Sequence, residues 1–288
     1  MRRSRISLSL LALFWGGSLA AADPMLDEFL FMAIAEGDVS LVEEVIGDGA
    51  DVNYRLPDGT PVLMIAALEE NHDVIRLLLE GGANVDAATE AGTTSLMMVT
   101  AQNSSKVVER LIEAGADLSL KEAGGWTALM YAAEKGSSES AAVLLKAGAN
   151  PDETKDDGVT ALMIAALEGH YPVAELLLNN GADVTKKDFV NETPVLMTAA
   201  VSKNEASRVA LVRAVLAHGG DVNGTDAGGR TALMYAAFDG SVELVGLLLE
   251  HGADVNVEGF ELGETALDFA DLQGHIEVVA LLEDAGAK

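Results

Sequence analysis

The sequence of 288 residues contains no cysteine, and aromatic residues make up only 5% of it. The absence of cysteine excludes disulfides, thiol nucleophiles, cysteine zinc sites and iron–sulfur clusters. It also excludes the modified cysteine of a lipoprotein anchor. Apolar residues nevertheless make up 49% of the chain, which is too many for a disordered acidic tail. A core therefore has to be built mainly from Ala, Val, Leu, Ile and Met.

Basic residues are also scarce, with 18 Lys and Arg against 46 Asp and Glu and a formal net charge of −28. Nucleic acids and anionic membrane surfaces are bound through Lys and Arg, so this charge argues against both as partners. It permits a protein partner with a basic surface. The simpler alternative is that the acidic surface only keeps the protein soluble, and both interpretations stay open.

The first 22 residues have the pattern of a secretory signal peptide. Three arginines lie among residues 2–5, and residues 6–15 form an apolar run. That run is shorter than the ~20 residues of a membrane-spanning helix, so an uncleaved anchor is the weaker alternative. Residues 20–22 are all alanine, and we expect cleavage after Ala22. A secreted protein without cysteine fits a bacterial periplasm, and we expect no membrane span after cleavage.

The rest of the chain repeats with a period near 33 residues. Successive anchor leucines are separated by 33 or 34 residues, except for one spacing of 37, and they are Leu30, Leu63, Leu96, Leu129, Leu162, Leu196, Leu233 and Leu267. Each unit has the pattern of a short helix, a turn, a second helix and an extended tip. In the unit of Leu233, we expect Thr231 to cap the first helix and Gly240 to end it.

The segments Thr-Ala-Leu, Ala-Ala, Leu-Leu and Gly-Ala-Asp-Val-Asn recur at fixed offsets and resemble the ankyrin repeat over about residues 25–288. The resemblance implies an all-α ankyrin-repeat solenoid of about eight helix-turn-helix units, with β-hairpin-like tips, in a curved L-shaped stack. One domain at 23–288 would hold units at about 25–53 (a cap), 57–86, 90–119, 123–152, 156–185, 190–223, 227–256 and 261–288. The family binds other macromolecules through its concave face and tips and has no shared active site.

Six units have methionine directly after the anchor leucine, where the family usually has histidine. These residues are Met64, Met97, Met130, Met163, Met197 and Met234. One interpretation is a series of soft thioether ligands for copper(I). Equivalent positions in stacked repeats lie ~10 Å apart, however, which is too far for neighbouring sulfurs to share one ion. We therefore interpret the methionines as adaptable apolar filler between repeats.

Two units depart from the regular pattern in other ways. The unit with the 37-residue spacing adds four residues around positions 201–208, which we expect to lengthen the turn between its helices. The unit of Leu96 has Val-Thr for the Ala-Ala pair and Gln102-Asn103 in place of the turn glycine. We expect this unit to be the weakest point of stacking.

Residues near the tip and at the end of the first helix are expected to face the concave groove. In three units an apolar residue there is followed by an acidic one, which is typical of an apolar anchor with an acidic rim. The candidate partner-binding residues are Trp126, Leu68, Glu69, Leu167, Glu168, Arg230, Phe238 and Asp239. Trp126 is the foremost candidate, because it is the only tryptophan outside the predicted signal peptide. The alternative that these side chains only cover the neighbouring repeat stays open.

The sequence contains no nucleophile elbow, phosphate-binding loop or pair of histidines at metal-ligand spacing. We therefore expect no enzymatic activity, no cofactor and no metal. The sequence predicts a monomeric periplasmic scaffold for protein–protein interaction. Its partner is expected to be a secreted enzyme, as in bacterial ankyrin proteins that accompany oxidative-stress enzymes such as catalase. The alternative is an immunity or inhibitor protein that neutralises a periplasm-targeted effector.

Overall fold

The computed structural model describes residues 24–190, 195–260 and 262–288. The predicted signal peptide at residues 1–22 lies outside them. These described ranges are mostly helical and contain no β-strand. In chain order the helices are α1 (Pro24–Glu36), α2 (Val39–Gly47), α3 (Val62–Leu68), α4 (His72–Glu80), α5 (Ser95–Ala101), α6 (Ser105–Glu113), α7 (Ala128–Lys135), α8 (Ser138–Lys146), α9 (Ala161–Glu168), α10 (Tyr171–Asn179), α11 (Val195–Ala200), α12 (Glu205–Ala217), α13 (Ala232–Asp239), α14 (Val242–Glu250), α15 (Ala266–Gln273) and α16 (Ile276–Asp284).

The chain divides into two compact units. The first holds the residues up to Ser95 together with Ala114–Ala116, and the second holds Leu96–Glu113 and Asp117–Lys288. In the first unit, α1 packs on α3 and α2 packs on α4. In the second unit, α7, α9, α11, α13 and α15 form one layer, and the even-numbered helices from α6 to α16 form the other. First helices therefore stack on first helices and second helices on second helices.

Four of the first helices begin at threonine and end at glycine. In these the threonine hydroxyl accepts the backbone N–H of the third helical residue at 3.3–3.4 Å, at Thr127, Thr160, Thr231 and Thr265. The C-terminal glycines adopt φ of 70–79°, where a Cβ is unfavourable, at Gly136, Gly169, Gly240 and Gly274. The predicted start at Thr231 and end at Gly240 are confirmed. Most helices have only six to nine residues, so stacking rather than intrinsic propensity must stabilise them.

The Gly-Ala-Asp-Val-Asn segment ends the second helix and links successive repeats. Its Asp or Asn side chain accepts the backbone N–H two residues later at 2.8–3.1 Å, at Asp51, Asn84, Asp117, Asn150, Asp183, Asp221 and Asp254. In three of these turns the side chain two residues later accepts a backbone N–H of the next repeat at 2.7–2.8 Å, at Asn53, Asp152 and Asn223. The motif therefore forms a turn and also links neighbouring repeats by hydrogen bonds.

The core consists of small and flexible apolar side chains, as the scarcity of aromatic residues predicted. The alanine pair of the first helices is fully buried, for example at Ala132 and Ala133. The methionines after the anchor leucines are 0–4% exposed at Met64, Met97, Met130, Met163 and Met234. The side chain of Met197 lies outside the described part. This burial agrees with the interpretation of methionine as filler between repeats.

The extra four residues lie in a helix and not in a turn. Helix α12 has 13 residues, whereas its counterparts α10 and α14 have nine, and the added turn is Glu205–Arg208. The prediction of a longer turn was therefore wrong. Four residues are close to one helical turn of 3.6, so the insertion keeps the buried face of α12 in phase. The cap has moved with it, since Asn204 Oδ1 accepts the Ala206 N–H at 3.2 Å.

In the irregular unit of Leu96, asparagine replaces the turn glycine. Asn103 adopts a φ of 59°, in the left-handed region that asparagine tolerates better than most residues. The boundary between the two compact units falls in this same repeat, between Ser95 and Leu96. The expectation that stacking is weakest there stays a prediction.

Candidate interaction surface

Trp126 lies directly before the cap of α7 and is half-buried. The centroids of its ring and of the Tyr131 ring are 5.3 Å apart, with a 39° tilt. Lys155, from the tip of the following repeat, places its ammonium 5.0 Å from the Trp126 ring centroid. Such a cation–π contact stabilises by roughly 0.5–1 kcal/mol at a partly exposed site. Trp126 therefore also stabilises the contact between its own repeat and the next one.

A carboxylate completes this aromatic cluster. The Tyr131 hydroxyl donates to Glu122, and burial together with this hydrogen bond raises the pKa of Tyr131 above its ordinary value. The unit of Leu233 repeats the arrangement, because the Tyr235 hydroxyl donates to Asp226 Oδ2 at 3.1 Å. Burial is also the main cause of the raised pKa of Tyr235. Arg230 is half-buried and occupies the position of Trp126 in this second cluster.

The apolar and acidic pairs at the helix ends differ in exposure and in charge pairing. In the first compact unit, Leu68 is half-buried and Glu69 is exposed. In the second, Leu167 and Glu168 are both half-buried, and Lys203 of the next repeat pairs with Glu168. The Lys203 N–H also donates to the Leu167 carbonyl at 2.7 Å. The Glu168 charge is therefore partly neutralised within the chain.

Phe238 and Asp239 lie at the equivalent end of α13. Phe238 is 45% exposed and packs edge-to-face against Phe269, with ring centroids 6.1 Å apart. Asp239 forms an ion pair with Arg208 at 2.7 Å, and only 15% of the Arg208 side chain is exposed. Arg208 belongs to the extra turn of α12. The insertion thus supplies a cation that pairs with Asp239, which the sequence predicted to be part of an acidic rim.

Among the described residues, the two most exposed phenylalanines were not among the predicted residues. Phe189 and Phe260 are 71% and 73% exposed. Each lies over a left-handed glycine of the preceding tip, Gly158 and Gly229, where a Cβ would stand 2.6 Å from the ring. Their backbone N–H groups donate to carbonyls of those same tips at 2.7 and 2.9 Å. The available signal was an aromatic residue in an otherwise polar tip, seven positions before an anchor leucine.

Four of the five histidines bond to carbonyls at helix ends. Nε2 of His170 and of His275 lies 3.0 Å from the carbonyls of Glu134 and Phe238 in the preceding repeat. A carbonyl only accepts, so these nitrogens carry the proton. Nδ1 of His218 and of His251 bonds to carbonyls within its own helix, each at 2.9 Å. Among the described residues no group of three or more His, Cys, Asp or Glu is arranged to hold a metal ion.

The fold and this surface define a helical repeat protein. A family model described as "Ankyrin repeats (3 copies)" matches residues 30–122, 96–188 and 196–288. These matches span most of the chain, which therefore belongs to the ankyrin-repeat family. The family is in general a non-enzymatic module for protein–protein interaction. Within the described ranges, no helix is both long enough and apolar enough to cross a membrane.

Short segments of the chain are similar to parts of much larger proteins. Potassium channel AKT3 of Oryza sativa subsp. japonica is 50% identical over 60 residues, covering 20% of this chain and 6% of the channel. Palmitoyltransferase akr1 of Schizosaccharomyces pombe (strain 972 / ATCC 24843) is 55% identical over 42 residues, covering 15% and 6%. Potassium channel AKT1 of Oryza sativa subsp. indica is 46% identical over 52 residues, covering 18% and 6%. The chain thus spans about 6% of the length of these relatives.

Proposed function

We propose that this chain is a scaffold for protein–protein interaction, built as eight stacked ankyrin units with hairpin-like tips. One observation carries the proposal. Large apolar side chains stay exposed at the tips and helix ends, although the structure buries most of the others. They include Phe189, Phe238, Phe260 and Leu272. Exposed apolar surface of this kind is typical of a binding site, because exposure to water is unfavourable without a partner.

We propose a partner with a basic surface. The formal net charge of −28 supports this, because opposite charges steer association and exclude wrong partners. Glu168 and Asp239 already form ion pairs with Lys203 and Arg208, so these two acids have less negative charge to offer a partner. The acidic attraction would then come from other carboxylates of the chain.

We further propose that the scaffold acts in the periplasm as a monomer, with residues 1–22 as the export signal. Its partner there would be a secreted enzyme, such as an oxidative-stress enzyme of the catalase type. The alternative is an immunity protein for a basic effector. Loss of the gene would sensitise cells to peroxide in the first case, and would be lethal only in the presence of the effector in the second. A fusion of residues 1–30 to alkaline phosphatase, which is active only after export, tests the location.

The binding function is tested by a pull-down from periplasmic extract with the chain starting at Asp23. We expect a discrete basic protein to be captured at low salt, and less of it with Phe238→Ala and Trp126→Ala. Met32→Ala is the matched control, because Met32 is 52% exposed but lies in the first compact unit. Circular dichroism of each variant separates lost binding from lost folding. Capture of no partner at low salt would contradict the proposal.

A further inference from the structure

Three apolar side chains lie at neighbouring positions on α13 and α15, the first helices of the last two repeats. This C-terminal patch consists of Phe238 on α13 and of Phe269 and Leu272 on α15. The two phenylalanine rings touch edge-to-face, and Leu272 lies three positions after Phe269, on the same side of α15. Leu272 is 76% exposed and Phe238 is 45% exposed. The patch therefore presents apolar surface to water from two adjoining helices.

The backbone beneath the patch is held in place. The His275 Nε2–H donates to the Phe238 carbonyl at 3.0 Å and so ties the end of α13 to the start of α16. Gly240 ends α13 in the left-handed conformation and leaves room for that imidazole ring. Binding at the patch would then require little ordering of the chain, which favours affinity.

The chain that carries the patch is strongly acidic. Residues 231–288 contain 12 Asp and Glu and a single basic residue, Lys288, although Asp239 beside Phe238 already pairs with Arg208. Asp268 and Asp271 are exposed on α15, next to Leu272 in the chain or one turn away from it. In the preceding repeat the same two positions carry a buried methionine and a buried alanine, Met234 and Ala237. The patch therefore has carboxylates on α15 beside its apolar centre.

We propose that the C-terminal patch docks a cationic amphipathic helix of the partner protein. The inference rests on the proposed scaffold function and specifies the chemistry of one contact. Phe238 and Leu272 hold equivalent positions in successive repeats, which lie ~10 Å apart. Two turns of a helix, seven residues at 1.5 Å each, also span ~10 Å. Leucine-type side chains seven residues apart on such a helix match the patch, and flanking Lys or Arg match Asp268 and Asp271.

The test uses a synthetic 15-residue peptide of leucine and lysine, with leucines at helical spacing and a fluorescent label. Its binding to the chain starting at Asp23 is measured by fluorescence anisotropy at two salt concentrations. We expect saturable binding that weakens with salt. A scrambled peptide of the same composition and a leucine–glutamate peptide are the controls. Equal binding of the scrambled peptide, or no binding of the amphipathic one, would overturn the proposal.

Variants then locate the site. Leu272→Ser and Phe238→Ser should each weaken binding ~10-fold, the loss expected when one buried apolar contact is removed. Asp271→Asn should weaken it ~3-fold and reduce its salt dependence. The matched controls Met32→Ser and Glu250→Gln should stay within ~2-fold, because these residues lie outside the patch. Equal losses in the controls would overturn the proposal.

The two proposals can fail separately. If a periplasmic partner binds the unmodified chain and Leu272→Ser equally well, the scaffold function holds and the docking site is wrong. If the peptide binds the patch but no partner is captured from extract, the docking chemistry is supported and the scaffold proposal is contradicted. Leu272→Ser is suited to both assays, since its exposed side chain contributes little to folding.

Discussion

Replacement of Asn103 is expected to destabilise the contact between its repeat and the next one. Its Oδ1 accepts the backbone N–H of Ser140 at 3.1 Å. Ser140 is the third residue of α8, whose own N-cap, Ser137, makes no side-chain cap bond. The Ser137 hydroxyl instead donates to the Ala101 carbonyl at 3.3 Å. Asn103 therefore caps a helix of the following repeat from outside, and it does so from a left-handed backbone position.

Two substitutions separate the loss of the side-chain cap from the strain of the left-handed backbone position. Asn103→Ala removes the cap, at ~1 kcal/mol, and forces alanine into the left-handed region, at a further ~1 kcal/mol. Asn103→Gly removes the same side-chain bonds, the cap and the bond that Asn103 Nδ2 donates to Glu139, but adds no strain, because glycine adopts that conformation freely. We therefore expect the free energy of unfolding to fall by ~2 kcal/mol in the alanine variant and by ~1 kcal/mol in the glycine variant.

Urea unfolding followed by circular dichroism measures both losses, and amide hydrogen exchange locates them. The Ser140 amide should lose protection in both variants, and amides in α16 should keep theirs, because each repeat of a solenoid contacts only its neighbours. The reasoning would be refuted if alanine were no more destabilising than glycine, or if exchange at Ser140 were unchanged.

Gly240→Ala should destabilise by ~2–3 kcal/mol and Gly274→Ala by only ~1 kcal/mol, although both glycines have similar φ. A Cβ at Gly240 would stand 2.5 Å from the His275 ring, whereas none of the neighbouring atoms lies within 4 Å of one at Gly274; equal urea midpoints would contradict this. Burial and the bond to Glu122 raise the pKa of Tyr131, so its neutral form stabilises the fold, and this stability should be lost as the pH rises above the ordinary tyrosine value. An absorbance titration of phenolate should show Glu122→Gln lowering that pKa, and an unchanged pKa would rule out the carboxylate as a cause.

The sequence alone determined the features that are local and periodic. The anchor leucines, the threonine caps and the glycine ends recur at fixed offsets, so one unit explains the others. The burial of the five described methionines follows for the same reason, because each holds the same position in its unit. The acidic composition likewise argues, from the sequence alone, against nucleic acids and anionic membrane surfaces as partners.

Only the tertiary structure decided how individual side chains share the surface between repeats. Lys203 and Glu168 are 35 residues apart in the chain, and Arg208 and Asp239 are 31 apart, so neither ion pair follows from a local pattern. Phe189 lies over a glycine of the preceding tip, and Trp126, which is half-buried, is contacted by a lysine from the next tip. The sequence period identifies which positions recur, whereas stacking decides which of them stay exposed.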